Sequence, residues 1–172
     1  IMYPDCDEIL KMAPDYDIIP VCREIYADVI TPITLLRKLA AVSKRYYLLE
    51  SVEGGEKWGR YSFLGFDPVM RVKCSCGKVT IEKDGEETEK VTDKPLEVLR
   101  EILKDYKAPR LEGLPPFAGG FVGYFAYAMI GYAEPKLNIK KGTFNDYDMM
   151  LFDKVIAYDH LKQKISIIVN MK

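Results

Sequence analysis

The sequence predicts an α+β protein built of mostly antiparallel β-sheets, sandwich-like, with about three flanking helices. Short β-rich runs separated by turn residues recur along the chain. Only three segments combine a helix-start signal with apolar residues at helical spacing. No internal repeat or low-complexity stretch interrupts the pattern. With 48% of its 172 residues hydrophobic, the chain has the apolar material for a core, and residues 1–172 are read as a single domain.

The first helix signal is Asp5-Cys6-Asp7-Glu8 followed by Ile9, Leu10 and Met12. Asp5 caps it, Glu8 stands three residues on as in a capping box, and Pro14 marks its end. Ile18 to Tyr26 reads as an extended run in which Pro20 demotes one part to an edge. Thr31-Pro32 opens a second helix, threonine as cap and proline at the first helical position, with Leu35, Leu36, Leu39 and Ala40 as its buried stripe. Arg45 to Glu50 is a compact strand that ends at Ser51. Val52 to Gly59 is a glycine-punctuated loop, and Arg60 to Gly65 resumes extended structure.

Val69 to Cys76, Val79 to Lys83 and Glu87 to Val91 continue as an antiparallel meander, the last two joined by the hairpin signal Asp84-Gly85. The third helix runs from about Pro95 to Tyr106, capped by Asp93, with Leu96, Leu99, Leu103 and Tyr106 at helical spacing. Ala108 to Pro116 is a proline-rich connection. Phe117 to Tyr127 reads as a buried strand whose glycines permit close backbone approach. Two further strands, Asp153 to Tyr158 and Ile165 to Val169, are joined by a polar turn at Asp159 to Lys164.

The 25 basic and 26 acidic side chains nearly cancel, so no long-range field favours nucleic acid or an anionic membrane surface. The apolar stretch from Phe121 to Met129 is far short of a bilayer span. The opening residues lack a basic region followed by an apolar core, so no secretory signal is expected and a cytoplasmic location is. The chain stops just after a hydrophobic strand, which suggests that it continues. Cysteines 6, 22, 74 and 76 are read as reduced thiols. Cys74 and Cys76 are spaced to share one face of a strand rather than to hold zinc, and the sole histidine is His160, so neither a metal site nor a cofactor is expected here.

No catalytic arrangement stands out: there is no nucleophile set with more than one histidine, no phosphate-binding glycine loop and no metal helix motif. His160, between Asp159 and Leu161 and close to Lys162, reads as a solvated turn residue without a role. Gly119-Gly120-Phe121-Val122-Gly123 departs from the dinucleotide fingerprint and is explained by packing. Tyr124, Phe125 and Tyr127 are assigned to core or interface. The stretch from Leu48 to Gly65 sets a carboxylate, a hydroxyl and backbone groups at one rim, which suits an α-amino acid. Glu50 or loop carbonyls would accept from its ammonium, and Lys57, Arg60 or backbone N–H groups would donate to its carboxylate. On composition alone an ordinary solvated hairpin is the preferred reading.

Tyr47-Leu48-Leu49-Glu50-Ser51 and the following Arg60-Tyr61-Ser62-Phe63-Leu64-Gly65 closely resemble the leucine-leucine-glutamate-serine motif and the strand after it in anthranilate synthase large components. Ile19-Pro20-Val21, the run from Pro116 to Tyr124, and Asp153 to Asp159 agree in order, so the resemblance spans essentially the whole chain. It implies the amino-terminal regulatory region of such a large component, with the catalytic chorismate-binding domain absent. It implies a parent lyase of tryptophan biosynthesis that turns chorismate, and ammonia from a glutamine amidotransferase component, into anthranilate and pyruvate. It further implies magnesium in that catalytic domain and feedback inhibition by L-tryptophan. By the same resemblance tryptophan contacts fall on Leu49, Glu50 and Ser51, with Arg60 as the basic position and Lys57 as its competitor. The other half of the site lies in the catalytic domain, so these residues alone perform no chemistry. Ala128 and Gly131 stand where the family often has an aspartate and a basic residue. Two other readings stay open: the related large component of aminodeoxychorismate synthase, and a stand-alone amino-acid-binding module.

Overall fold

The computed structural model describes residues 2–50, 59–137, 139 and 142–172. They form two compact units, the first from Ile1–Pro68, Tyr106–Gly120 and Phe152–Lys172, the second from Val69–Asp105 and Phe121–Leu151. The expected α+β class with two antiparallel sheets is borne out, and the described residues hold four α-helices where about three were expected.

The first unit is built on six strands, β1 (Met2–Tyr3), β2 (Ile19–Tyr26), β3 (Tyr46–Leu49), β4 (Tyr61–Phe66), β10 (Lys154–Asp159) and β11 (Lys164–Met171). Their order across the sheet is β1-β2-β11-β10-β4-β3. Pro20, which has no N–H to give, pairs opposite Asn170 in the β2–β11 ladder; β1 pairs with β2 only at Cys22 and Arg23, so the part of the strand that holds Pro20 lies at an edge, as expected. One face buries Leu64, Ile156, Tyr158 and Ile165 against Leu39, with Leu35, Leu36, Leu48 and Phe66 packed around them. Burial of each such side chain contributes on the order of 2 kcal/mol.

That apolar face is closed by α2 (Pro32–Val42), whose entry is fixed by reciprocal bonds between Thr31 and Thr34. Its inner stripe is the buried Leu39 with the half-buried Leu35 and Leu36, whereas Ala40, expected in that stripe, is exposed. The first helix, α1 (Cys6–Met12), carries the predicted capping box: Glu8 N–H donates to Asp5 at 2.9 Å and Asp5 N–H to Glu8 at 3.0 Å.

The second unit carries β5 (Met70–Ser75), β6 (Lys78–Lys83), β7 (Glu86–Val91), β8 (Gly120–Phe125) and β9 (Tyr147–Phe152), in the order β7-β6-β5-β9-β8. Alternation sorts its central strands: Met70, Val72 and Cys74 pair with Leu151, Met149 and Tyr147 on one buried face. The opposite face pairs Arg71 with Asp148 at 2.6 Å and Lys73 with Glu82 at 3.0 Å. The Asp84-Gly85 hairpin forms as expected, both residues at positive φ (53° and 82°).

Several expectations are corrected here. Cys76 does not share a strand face with Cys74: it sits at φ 57° beside Gly77 in the turn after β5, exposed, while Cys74 is fully buried. The third helix, α3 (Pro95–Lys104), begins after Lys94 with no side-chain cap, instead of being capped by Asp93; the Thr92 hydroxyl accepts from the Lys94 N–H at 3.0 Å just ahead of it. It stops at Lys104, short of Tyr106, and buries Pro95, Val98 and Leu99 while Leu96 and Leu103 stay exposed.

The strand read over Phe117 to Tyr127 shrinks to β8, and it is half-buried to exposed: of the core-or-interface assignment of Tyr124, Phe125 and Tyr127 the core half fails, since they are 42, 52 and 82% accessible. A 3₁₀ turn (Tyr127–Met129) and the short α4 (Ile130–Ala133) follow it. The close approach predicted for its glycines is made by Gly123, whose missing Cβ leaves room for the backbone of Asp148 and Met149.

Candidate functional site

The rim singled out by Leu49-Glu50 lies in the first unit, where β3 ends beside β4. Leu49 is the last residue of β3, opposite Phe63 and 48% exposed. Successive side chains of a strand point to opposite faces. Leu49 therefore shares its face with Phe63, Tyr61 and Phe117, which form an aromatic row: Tyr61 stacks on Phe63 at 5.7 Å between centroids and Phe117 meets Phe63 edge-on at 5.7 Å.

Glu50 turns the other way. Its carboxylate accepts from the Ser62 hydroxyl at 3.4 Å, on the face that carries Tyr158. Leu49 and Glu50 thus flank the sheet margin instead of lining one wall.

Arg60 lies immediately before β4 on the aromatic side, its guanidinium 4.9 Å over the Tyr61 ring. It is engaged by Asp159, Nη2 to Oδ2 at 2.6 Å and Nε to Oδ1 at 3.1 Å. Its pKa is raised, first by that hydrogen-bonded carboxylate. Burial alone would raise the Asp159 carboxyl, but the Arg60 guanidinium and the Lys162 and Leu161 N–H groups outweigh it and hold the acid below its ordinary value. Tyr61 shifts upward, through burial and then the Asp159 charge. Ser51 and Lys57, the other two expected contacts, lie outside the described residues.

Three residues that the sequence did not assign complete this corner. Ser62 is buried, 1% exposed, and its Oγ is 2.7 Å from Nε2 of His160. Asp159 ends β10 and His160 follows it, and the main-chain N–H of His160 donates to the Arg60 carbonyl at 2.9 Å. The only trace of this in the sequence was polar residues at the ends of two strands 98 residues apart, whose pairing no local pattern announces. The order carboxylate, hydroxyl, imidazole differs from a nucleophilic triad, since the hydroxyl stands between the other two and is buried. The arrangement can hold and orient a charged group; it does not present a nucleophile.

A separate concavity of about 500 Å³ opens at the other edge of the same sheet, between Tyr3, Cys22, Glu24, Tyr26, Leu114 and Lys164. Of its three charged lining residues, Glu24, Glu112 and Lys164, the first and last pair with each other at 2.9 Å. Among the described residues no group of three His, Cys, Asp or Glu side chains is placed to hold a metal ion, and no helix is long and apolar enough to cross a membrane.

No family model matches the chain. It is 44% identical over 99% of its length to anthranilate synthase component 1 of Acetivibrio thermocellus. It is 40% identical over 95% to that of Pseudomonas aeruginosa, and 36% identical over 95% to that of Aquifex aeolicus. The chain spans about a third of these relatives, 35, 34 and 33% of their lengths. Among solved structures, anthranilate synthase component I of Streptococcus pneumoniae matches with a TM-score of 0.52 at 28% identity, covering 84% of this chain and 31% of that one. The resemblance carried by Leu49-Glu50-Ser51 and its flanking segments is borne out by these likenesses.

Proposed function

We propose that this chain is the regulatory part of an anthranilate synthase large component, and that L-tryptophan is sensed at the margin formed by Leu49, Glu50 and Ser51. The observation that carries the reading is the 44% identity over 99% of the chain to a protein of that name. In support of it, the Glu50 carboxylate stands exposed at a strand end, where it can accept from an α-ammonium group. Leu49 and the Tyr61–Phe63–Phe117 row offer apolar surface of the kind an indole ring packs against. Arg60 spends Nε and Nη2 on Asp159; the ligand carboxylate then falls to Lys57, to backbone N–H groups, or to the remaining Nη1 of Arg60.

The parent enzyme, on this proposal, converts chorismate and ammonia from a glutamine amidotransferase component into anthranilate and pyruvate. Its magnesium and its chorismate site belong to a catalytic domain that also supplies the rest of the tryptophan pocket. A ligand bound across two domains can favour one domain arrangement over another, and only its differential affinity for the two makes it an inhibitor.

The test is the full-length enzyme carrying Ser51→Phe, followed by anthranilate fluorescence with chorismate, ammonia and magnesium. Tryptophan inhibition, measured against the variant's own uninhibited rate, should be lost. Inhibition as strong as in the unsubstituted enzyme would remove Ser51 from the site, and a product other than anthranilate would overturn the assignment of the parent.

A further inference from the structure

Ser62 is a hydroxyl set into an apolar face: it pairs with Tyr158 across β4 and β10, next to Leu64 and Ile156, and is 1% exposed. A buried hydroxyl is costly unless bonded. Its two partners are both ionisable side chains, His160 Nε2 at 2.7 Å and Glu50 Oε1 at 3.4 Å. Ser62 has one proton to give, and an ionised carboxylate only accepts. When the hydroxyl donates to Glu50, Nε2 of His160 is therefore the group that donates to the hydroxyl.

His160 sits exposed in the turn after β10, as its sequence context suggests, but its ring is engaged by Ser62 and by Tyr158. Its ring meets the Tyr158 ring at 4.8 Å. The backbone that carries it is fixed as well: the His160 main-chain N–H donates to the Arg60 carbonyl at 2.9 Å, and the His160 main-chain carbonyl accepts from the Gln163 side-chain amide at 2.7 Å. The preceding Asp159 anchors the turn by accepting from the Leu161 and Lys162 N–H groups, each at 3.0 Å. Glu50 is exposed and follows the last paired residue of β3. The imidazole and the buried hydroxyl thus form a chain of contacts that ends on the Glu50 carboxylate at the strand end.

We propose that His160 is a positioning residue: through the Ser62 hydroxyl it orients the Glu50 carboxylate that receives the ammonium group of an amino-acid inhibitor. This rests on the reading of Glu50 given above. A carboxylate held in its binding rotamer gives up less freedom when the ligand arrives, and that ordering cost is the part of the affinity the relay supplies.

The experiment uses the full-length enzyme and the tryptophan concentration that halves its activity, each variant referred to its own uninhibited rate. Ser62→Ala and His160→Ala should each raise that concentration about tenfold, the size of one hydrogen bond to a charged group. The double variant should lose no more than either single one, because both act through one chain of bonds. Ser62→Thr, which keeps the hydroxyl, should retain sensitivity, and neither alanine substitution should matter further once Glu50→Gln is present. His160 is at the surface, so its variant carries the test even where Ser62→Ala fails to fold. If Glu50→Gln weakens inhibition while Ser62→Ala and His160→Ala leave it within twofold, the relay is overturned and the reading of Glu50 stands. If the unsubstituted enzyme is not inhibited by tryptophan, the reading of Glu50 falls and the relay with it.

Discussion

Arg60 and Asp159 form a two-pronged ion pair at the end of the β4–β10 ladder, closing a loop of 99 residues with Nη2–Oδ2 at 2.6 Å and Nε–Oδ1 at 3.1 Å. Asp159 also accepts two N–H groups of its own turn, so one carboxylate ties the β10–β11 connection to the start of β4.

The pair sets an acid limb for stability. The folded state holds the Asp159 carboxyl below its ordinary value, despite burial, through Arg60 and the turn N–H groups. Its contribution is therefore fully present above the unfolded-state pKa of about 3.9 and is lost as pH falls through the lower folded value. Urea midpoints measured between neutral pH and strong acid should drop less steeply below about pH 4 for Asp159→Asn than for the unsubstituted chain. Identical slopes would show that another carboxylate governs the limb.

The ring of Tyr47 lies across Gly65, its cross-strand partner, in the space a Cβ would occupy. The same ring meets Phe152 edge-on at 4.7 Å. Its hydroxyl is buried with no hydrogen-bond partner among the described residues, and burial pushes the phenol pKa up. Removing a buried, unbonded hydroxyl relieves a desolvation cost, so Tyr47→Phe should stabilise the chain by about 1 kcal/mol. Gly65→Ala should destabilise it by roughly 2 kcal/mol by displacing the ring. Thermal or urea unfolding of the two variants decides, and destabilisation by Tyr47→Phe would mean that the hydroxyl is bonded.

Gly123 separates close approach from turn freedom. A Cβ there would strike the backbone of β9, 2.8 Å from Met149 Cα and 2.9 Å from the Asp148 carbonyl carbon, and backbone cannot swing aside. Gly123→Ala should cost about 3 kcal/mol or more. Gly85, at φ 82° with open space around it, should cost only about 1 kcal/mol as alanine, through strain alone. Equal losses at the two positions would contradict the steric account of β8.

The fold was legible wherever the signal is local. Capping residues at Asp5 and Thr31 and the hairpin turn at Asp84-Gly85 announce their elements within a few positions. Strand β9 escaped because Tyr147–Phe152 is parted from β10 by Asp153 alone, and because what makes it a strand is its ladder to β5, more than 70 residues away. The burial of α3 departs from its periodicity for a related reason: Val98 beside Leu99 turns the buried stripe away from Leu96 and Leu103, and only the neighbouring sheet decides which of two overlapping stripes is covered. At the candidate site the sequence marked Leu49, Glu50 and Arg60. It could not show that Arg60 is claimed by Asp159, or that Ser62 and His160 meet across 98 residues.

The cysteines supply a check on both cores at once. No disulfide joins the four: Cys6 and Cys76 are exposed, while Cys22 and Cys74 are 5% and 0% accessible. Burial raises the thiol pKa of Cys22 and of Cys74, which lowers their thiolate fraction on top of closing off access. A chromogenic disulfide reagent should therefore find two thiols at once and two others roughly 100-fold more slowly, at a rate set by opening of the surrounding sheet. The two slow thiols sit in different units, Cys22 on β2 and Cys74 on β5. If the units open independently, Val72→Ala, which leaves a cavity beside Cys74 in the core of the second unit, should speed Cys74 and leave Cys22 unchanged. If both thiols speed up together, the two units unfold as one cooperative body.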